Sequence, residues 1–223
     1  MSSLFDFFSS SDNPRSLGYK FRANRLKKFE SLFFNHFAGQ KKIEILDLGG
    51  TDYFWQHSTL LQHPGLRITL LNLHLEQTTH PAIQAVQGDA TNLQDYAAGS
   101  FDLVFSNSVI EHLYTLENQQ KMASEIRRVG KTYFIQTPNA HFPVEAHYAL
   151  PFAQYYPESM LFFVLTKTKL SRLTRWKAAD ARQYIEEIRL LNEQEMASLF
   201  PGAVLLKEKV MGLTKSITAH TLS

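Results

Sequence analysis

The order of hydrophobic and polar positions predicts alternating helices and strands over most of the chain. A helix that ends near Gly39 is predicted by four apolar residues at helical spacing, Leu26, Phe29, Phe33 and Phe37. Apolar runs predict five buried strands, at residues 43–48, 68–71, 85–86, 101–105 and 133–137. Helical segments such as 116–129 lie between them, and this order is typical of βαβ units in an open, doubly wound parallel sheet.

The C-terminal part predicts one more helix and two more strands. Glu195 stands three residues after Asn192, a spacing that predicts a capped helix over residues 193–200. The segments AVLLKEKVMG and TKSITAHT predict an antiparallel hairpin around Gly212. The predicted fold class is α/β, a sheet of about seven mostly parallel strands with an antiparallel C-terminal hairpin strand.

Composition limits the classes of protein to consider. The chain has 223 residues, 44% of them hydrophobic, which is enough for one sizeable core. It has no cysteine, so a disulfide framework, a thiolate zinc site and a cysteine nucleophile are excluded. The first residues lack the pattern of a signal peptide, and no uncharged apolar run is long enough to cross a bilayer. We therefore expect a cytoplasmic protein without an integral membrane segment.

Charge is nearly balanced overall but uneven along the chain. The formal net charge is only +2, which argues against a dedicated nucleic-acid binder. Residues 15–28 carry six basic side chains and no acidic one, and residues 167–177 carry five. Each segment is interpreted as a solvated face, or alternatively as a surface for an anionic substrate or a carboxylate.

The segment ILDLGGTDYFW, residues 45–55, places two glycines at the end of a predicted strand. A dinucleotide turn needs Gly-x-Gly-x-x-Gly, but here a threonine, an aspartate and aromatic residues stand where phosphates need bare backbone. A Walker loop is excluded too, because no Gly-Lys-Ser/Thr follows. The turn allows close approach of a ligand without phosphates, and Asp47 at the strand end can attract a cation.

Four segments resemble the class I S-adenosylmethionine-dependent methyltransferases, in particular their small-molecule, type 11-like group. They are the glycine turn, QGDATNL, SFDLVFSNSVIEHL and EIRRVGKTYFIQTPN, in the family's order and spacing over roughly residues 41–139. The family's turn, Asp/Glu-x-Gly-x-Gly-x-Gly, keeps Asp47 and Gly49 here, whereas Thr51 and Tyr53 replace its later glycines. The resemblance implies a Rossmann-like fold and S-adenosylmethionine, whose amino group and sulfonium are positive, as cofactor.

The resemblance also implies which residues bind the cofactor. In this family the first strand ends at the cofactor, the second near the ribose hydroxyls and the third near the adenine, while the N-terminal helix often offers an arginine to the carboxylate. The corresponding residues here are Asp47, Gly49, Gly50, Thr51, Asn72, Leu73, Gly88, Asp89, Ala90, Ser106, Asn107, Arg22 and Arg25. For both arginines the alternative is a solvated side chain.

His112 is the candidate catalytic residue. Methyl transfer is an in-line displacement for which the protein mainly supplies alignment, and a base is needed only when the nucleophile must lose a proton. His112 follows the fourth strand, where this family places its acceptors, and histidine titrates near neutral pH. The alternative is a histidine that packs the turn beneath the cofactor.

A second polar cluster, HFPVEAH, follows the fifth predicted strand. Candidate substrate-binding residues here are His141, Glu145, His147 and Tyr148. A structural role and metal binding are the alternatives, and no metal site is predicted because no helical register supports the ligand geometry.

We expect two functional regions. Residues 1–40 are predicted to form a loose tail and a helix that cover the cofactor site. Residues 41–223 form the methyltransferase domain, with a substrate-covering insertion at about 139–180 because this stretch is proline-rich, aromatic and too long for an ordinary loop. Within it, MLFFVL at 160–165 is interpreted as a buried core segment or as a wall over an apolar substrate.

The predicted function is methyl transfer to a hydroxyl or carboxyl oxygen of a small-molecule biosynthetic intermediate. Methylation of nucleic-acid amines is disfavoured, since the enzymes of this fold that perform it carry Asn/Asp-Pro-Pro-Tyr/Phe where this chain has Ser106-Asn107-Ser108-Val109. An N- or C-methyltransferase is one alternative, and a non-catalytic binding or scaffold protein is another. A dehydrogenase is disfavoured by the missing phosphate loop.

Overall fold

The computed structural model describes residues 17–223, with side chains from residue 21 onward. The predictions for the first thirteen residues and for Arg15 lie outside this part of the chain. The strands are β1 (Ile43–Leu48), β2 (Leu66–Asn72), β3 (Ile83–Gln87), β4 (Phe101–Asn107), β5 (Gly130–Pro138), β6 (Val144–Glu145), β7 (Leu150–Pro151), β8 (Val204–Val210) and β9 (Leu213–His220). Seven of them form one sheet in the order β3-β2-β1-β4-β5-β9-β8, while β6 and β7 pair with each other.

Strands β1 to β5 run parallel, with β1 at the centre between β2 and β4. Strand β9 is antiparallel to both β5 and β8, and it forms the predicted hairpin with β8. The predicted fold class, an α/β Rossmann-like sheet with an antiparallel C-terminal strand pair, is therefore confirmed. Because β1 to β5 are parallel, the residues that follow them meet at one edge of the sheet, where ligands of such sheets bind.

The α-helices between residues 17 and 223 include the three that the sequence predicted, which the structure places at 17–36, 116–129 and 193–199. The α-helices are α1 (Leu17–His36), α2 (Asp52–Trp55), α3 (Leu116–Val129), α4 (Glu158–Lys167), α5 (Ala178–Glu187) and α6 (Glu193–Leu199). Asn192 and Glu195 form a reciprocal capping box at the start of α6, which satisfies two backbone donors. Judged by length and apolar content, none of these helices could span a bilayer.

Helices cover both faces of the sheet because the side chains of each strand alternate between them. Ile43 and Ile45 of β1 pack in the core that contains Phe29 and Phe33 of α1. Leu46 and Leu48 pack in the opposite core, which includes residues of α3 and α6. This burial on both faces explains why the parallel strands are nearly continuous apolar runs.

Residues after β5 build a third, smaller core of their own. It contains Tyr148 and Leu150, and the buried sides of α4 and α5. Ala181 belongs to this core and Ile188 packs against it, so the core extends beyond residue 180. The MLFFVL segment lies in α4, and its interpretation as a buried core segment holds for one side of the helix only, since Leu161 and Leu165 are buried. Met160 and Phe163 are 49% and 59% exposed because only one side of α4 faces this core.

Arg25 ties α1 to the sheet. Its Nε and Nη2 donate to the two carboxylate oxygens of Glu208 at 2.9 and 2.8 Å, and its Nη1 donates to Asn107 Oδ1 and Gln136 Oε1. Although burial raises the pKa of Glu208, the hydrogen bonds and charge of Arg25 outweigh it and lower the pKa overall. One guanidinium thus connects α1, β4, β5 and β8.

We expect Arg25→Met to lower the free energy of unfolding by about 2–4 kcal/mol, because it leaves the largely buried Glu208 carboxylate without its paired cation. Chemical denaturation at pH 7 measures this change. Lys121→Met is the control, since Lys121 pairs with Glu117 on the exposed surface of α3 and its loss should have little effect. Equal destabilisation by the two substitutions would contradict the structural role of Arg25.

Candidate functional site

Two glycines in the turn after β1 lie close to other side chains, which leaves no room for a Cβ atom at either position. Gly49 has φ +75°, and a Cβ on it would lie 2.5 Å from Val109 Cγ2. A Cβ on Gly50 would lie 1.7 Å from Asp47 Oδ2. Both positions therefore require glycine. Thr51, in contrast, has φ −127° and ψ 152°, an extended conformation that any residue adopts, so the backbone tolerates threonine there.

Asp47 is a buried carboxylate at the end of β1. Trp55 Nε1 donates to its Oδ2 at 2.7 Å, while Oδ1 has no hydrogen-bond partner. Burial raises the pKa of Asp47 to about 7, against the opposing effect of the Trp55 hydrogen bond. A positively charged ligand beside Oδ1 would stabilise the ionised form.

A cavity of about 540 Å³ opens beside this turn. Its volume suits a small-molecule ligand. It is lined by Arg22, Asp47, Gly49, Gly50, Thr51, Tyr53, Phe54, Phe105 and Asn107. Six of the residues predicted to bind the cofactor thus share one cavity, in which an acidic and a basic side chain accompany aromatic walls.

The other predicted cofactor residues surround this cavity or have structural contacts of their own. Asn72 Nδ2 donates to Gly50 O at 2.9 Å, and Gly88 N donates to Asn72 O, so the ends of β1, β2 and β3 are linked. Leu73 is exposed. The Asp89 carboxylate accepts from the amide and hydroxyl of Thr91, and Ala90 packs against the α3-side core.

The two candidate arginines differ in their surroundings. Arg22 lines the cavity and Arg25 does not. The guanidinium of Arg25 binds Glu208, Asn107 and Gln136. Ser106 is fully buried and donates to Leu48 O, so it links β4 to β1. Of the two arginines, Arg22 is the better placed for a ligand carboxylate.

His112 ends a short 3₁₀-helix, Ile110–His112, that follows β4. Its Nδ1 lies 2.5 Å from Glu187 Oε1 at the end of α5, and its side chain is 27% exposed. Its ring meets that of His147 edge to face, with centroids 4.9 Å apart. The turn after β4 is therefore joined to the insertion by a histidine that still reaches solvent.

Glu111 and His147 complete this group. Glu111 is fully buried, and its Oε2 accepts from Thr137 Oγ1 at 3.0 Å, while Oε1 lies 4.0 Å from His147 Nε2. Burial raises the pKa of Glu111, against the opposing charges of His147 and His112. Burial opposes protonation of His147, but its hydrogen bond to Glu145 and the charges of Glu145 and Glu111 raise its pKa overall.

The structure places the four residues of the predicted substrate cluster in different surroundings. Glu145 and His147 join the group around His112, through a 2.6 Å contact between Glu145 Oε1 and His147 Nδ1. His141 is exposed, and its amide donates to Asn139. Tyr148 is buried in the insertion, where its hydroxyl donates to Tyr184 O. These contacts bring Glu145 and His147, but not His141 or Tyr148, to the candidate catalytic histidine.

Sequence reasoning missed Glu187 and did not count Glu111 among the candidate site residues. Glu187 is far from His112 in sequence, in a helix whose docking no local pattern indicates. Glu111 lies directly beside His112, so an acidic residue next to the candidate histidine was the available signal. Its burial depends on β5, because Thr137 covers it.

Residues 56–133 match a protein family described as "Methyltransferase domain". The matched range contains β2, β3, β4 and α3, and it excludes the glycine turn. No curated protein matches the chain.

Several solved structures share the fold at low sequence identity. A structure described as a putative Zn-dependent alcohol dehydrogenase from Rhodobacter sphaeroides has a TM-score of 0.54 at 11% identity, covering 83% of this chain and 86% of its own. The N-terminal domain of EvdMO1, crystallised in the presence of SAH and D-fucose, has a TM-score of 0.52 at 15% identity, covering 91% and 82%. The PH0226 protein from Pyrococcus horikoshii has a TM-score of 0.50 at 15% identity, covering 97% and 95%. At these identities the likeness concerns the fold alone.

The family match gives the chemistry that the fold by itself leaves open. It spans the second to fourth strands, which follow a turn with a buried aspartate and two obligatory glycines. The chain is similar to S-adenosylmethionine-dependent methyltransferases, and its match to the methyltransferase domain family covers residues 56–133.

Proposed function

We propose that this methyltransferase acts on a hydroxyl or carboxyl oxygen of a small-molecule biosynthetic intermediate. The observation that carries the proposal is the position of His112. It lies at the carboxyl end of β4, just beyond Val109, whose side chain packs against Gly49 of the cofactor turn. A hydroxyl acceptor must lose a proton during transfer, and a histidine whose Nδ1 faces a carboxylate can assist that loss through Nε2.

In this proposal the cavity beside the glycine turn holds the methionine part of the cofactor. Asp47 faces its positive charge, and Arg22 contacts its carboxylate. Asn72 and Asp89, which follow β2 and β3, serve the ribose and the adenine, as the family resemblance implies. The donor methyl is thereby directed towards the end of β4.

The acceptor is proposed to lie between this turn and the insertion. The insertion contacts the turn through His112 and Glu187, and through the Arg189 amide, which donates to Glu111 O. We propose that the insertion covers the acceptor and that α1 covers the cofactor side. A small molecule suits a site closed in this way better than a nucleic acid does, and the net charge of +2 agrees with that choice.

Calorimetric titration of the purified protein with S-adenosylmethionine and S-adenosylhomocysteine tests the cofactor site first. We expect micromolar binding of both, followed by turnover in a screen that begins with hydroxylated aromatics and sugars. If folded, ligand-free protein binds neither compound, the alternative of a non-catalytic scaffold is favoured instead. If only amine or carbon acceptors are methylated, the proposed oxygen acceptor is wrong.

Asp47→Asn should abolish cofactor binding and, at the same time, stabilise the unliganded protein at pH 8. Folding raises the pKa of Asp47 from 3.8 to about 7, so the folded state holds the proton more tightly. The stability of the unliganded wild type therefore falls as pH rises from about 4 to about 7, and the full cost is present above pH 7. Asparagine avoids this cost, which is roughly 2–4 kcal/mol.

Chemical denaturation at pH 4 and pH 8, together with calorimetry, measures both effects. The variant should gain stability over the wild type at pH 8 but not at pH 4. Asp95→Asn is the control, because Asp95 is exposed and outside the cavity. A variant that still binds S-adenosylmethionine like the wild type would remove Asp47 from the cofactor site.

His112→Asn should leave S-adenosylmethionine affinity within about twofold of the wild type and lower kcat by about 10²–10⁴, the usual contribution of acid–base assistance. Single-turnover kinetics with an identified acceptor measure the effect. His63→Asn is a matched control, since His63 precedes β2 at the opposite edge of the sheet. Unchanged turnover in His112→Asn would show that this histidine only packs the turn.

A further inference from the structure

A cluster of metal-ligating side chains lies beside the proposed acceptor position. Glu111, His112 and His147 each offer one ligand atom, and these three atoms lie within 4.8 Å of one another. Two chain segments supply them, the turn after β4 and the hairpin of β6 and β7. The tertiary fold, rather than a local sequence motif, therefore creates the cluster.

Glu111 presents an oxygen that lacks a hydrogen-bond partner. The Glu111 side chain is fully buried. Its Oε2 accepts a hydrogen bond from Thr137 Oγ1, and its Oε1 has no hydrogen-bond partner. His147 Nε2 lies 4.0 Å from this oxygen, which is too far for a hydrogen bond. Burying such an oxygen is costly unless a donor or a cation meets it.

Each of the two imidazoles has a carboxylate at its Nδ1. His112 Nδ1 faces Glu187 at 2.5 Å, and His147 Nδ1 faces Glu145 at 2.6 Å. Glu145 is itself fixed, because the Tyr148 amide donates to its second oxygen at 2.7 Å. A carboxylate at Nδ1 holds the proton there and leaves the lone pair on Nε2, which is the usual outer-shell arrangement around metal-bound histidine.

We propose that Glu111, His112 and His147 bind one divalent transition-metal ion. Two imidazole nitrogens and one carboxylate oxygen form a ligand set that suits Zn²⁺, Mn²⁺ or Fe²⁺ and leaves coordination positions open. The opening lies on the His112 side, because His112 is 27% exposed, whereas Glu111 is 0% and His147 is 13% exposed. The three carboxylates of Glu111, Glu145 and Glu187 supply the charge that a dication requires.

The role of this ion rests on the proposed function, although its binding does not. An ion with an open position beside the acceptor would coordinate the acceptor oxygen and lower the pKa of its hydroxyl. His112 would then act on the acceptor through the ion instead of taking the proton itself. The ion is not consumed, because the methyl group moves from the sulfonium to oxygen and the acceptor proton passes to solvent.

Calorimetry with the full-length chain, stripped by a chelator and desalted, tests the site with Zn²⁺ and with Mn²⁺ alone. We expect one equivalent of Zn²⁺ to bind with a micromolar or lower Kd. Glu111→Gln and His147→Asn should each weaken binding at least tenfold. His141→Asn is the matched control, because His141 lies in the same segment but outside the cluster, and it should retain wild-type metal affinity.

Two further measurements distinguish a variant that has lost metal binding from one that has failed to fold. S-adenosylmethionine affinity should be unchanged in the cluster variants, and Glu187→Gln, which alters only the outer carboxylate, should weaken metal binding about 10–100-fold. No stoichiometric binding by the wild type, or equal binding by the cluster variants, would overturn the proposal.

The outcomes also separate this proposal from the proposed function. Turnover that depends on His112 and persists after chelation would overturn the metal and retain the oxygen acceptor. Stoichiometric metal binding without methylation of any oxygen acceptor would support the site and overturn the acceptor class.

Discussion

Two buried carboxylates, Asp47 and Glu111, impose the main electrostatic constraint on this protein. Each has one oxygen that is hydrogen-bonded and one that is not. Burial raises the pKa of both, so the unliganded fold carries an unfavourable energy at neutral pH. A ligand with positive charge at either position would offset that energy, which is a physical reason for an enzyme to keep a carboxylate where packing alone favours an apolar residue.

The parallel sheet brings these two carboxylates to one edge. Asp47 ends β1 and Glu111 follows β4, and the two strands are neighbours in the sheet. Helices on both faces bury most of β1, β2, β4 and β5, so side chains gain access to ligands mainly at the strand ends. The insertion, which has its own core, then supplies His147, Glu145 and Glu187 from the other side.

The sequence predicted the regular part of this structure well, because local patterns determine it. The periodicity of β1, the span of α3 and the Asn192 cap all depend on residues close in sequence. The contacts that create the group around His112 do not, since Glu187 and His147 reach it only through the packing of the insertion. The ion pair of Arg25 could not be predicted from local sequence either, because its partner Glu208 lies near the other end of the chain.

The close contact between Gly49 and Val109 joins the two halves of the site. Val109 leads directly into the 3₁₀-helix that carries Glu111 and His112, so a shift of the glycine turn must also displace these side chains. In-line transfer requires the donor sulfur, the methyl carbon and the acceptor oxygen to be aligned, and misplacement by about 1 Å is costly. If the cofactor and the acceptor bind as proposed, this glycine, which has no room for a side chain, couples the position of one to that of the other. This contact explains the glycine at position 49, in a turn where positions 51 and 53 carry threonine and tyrosine.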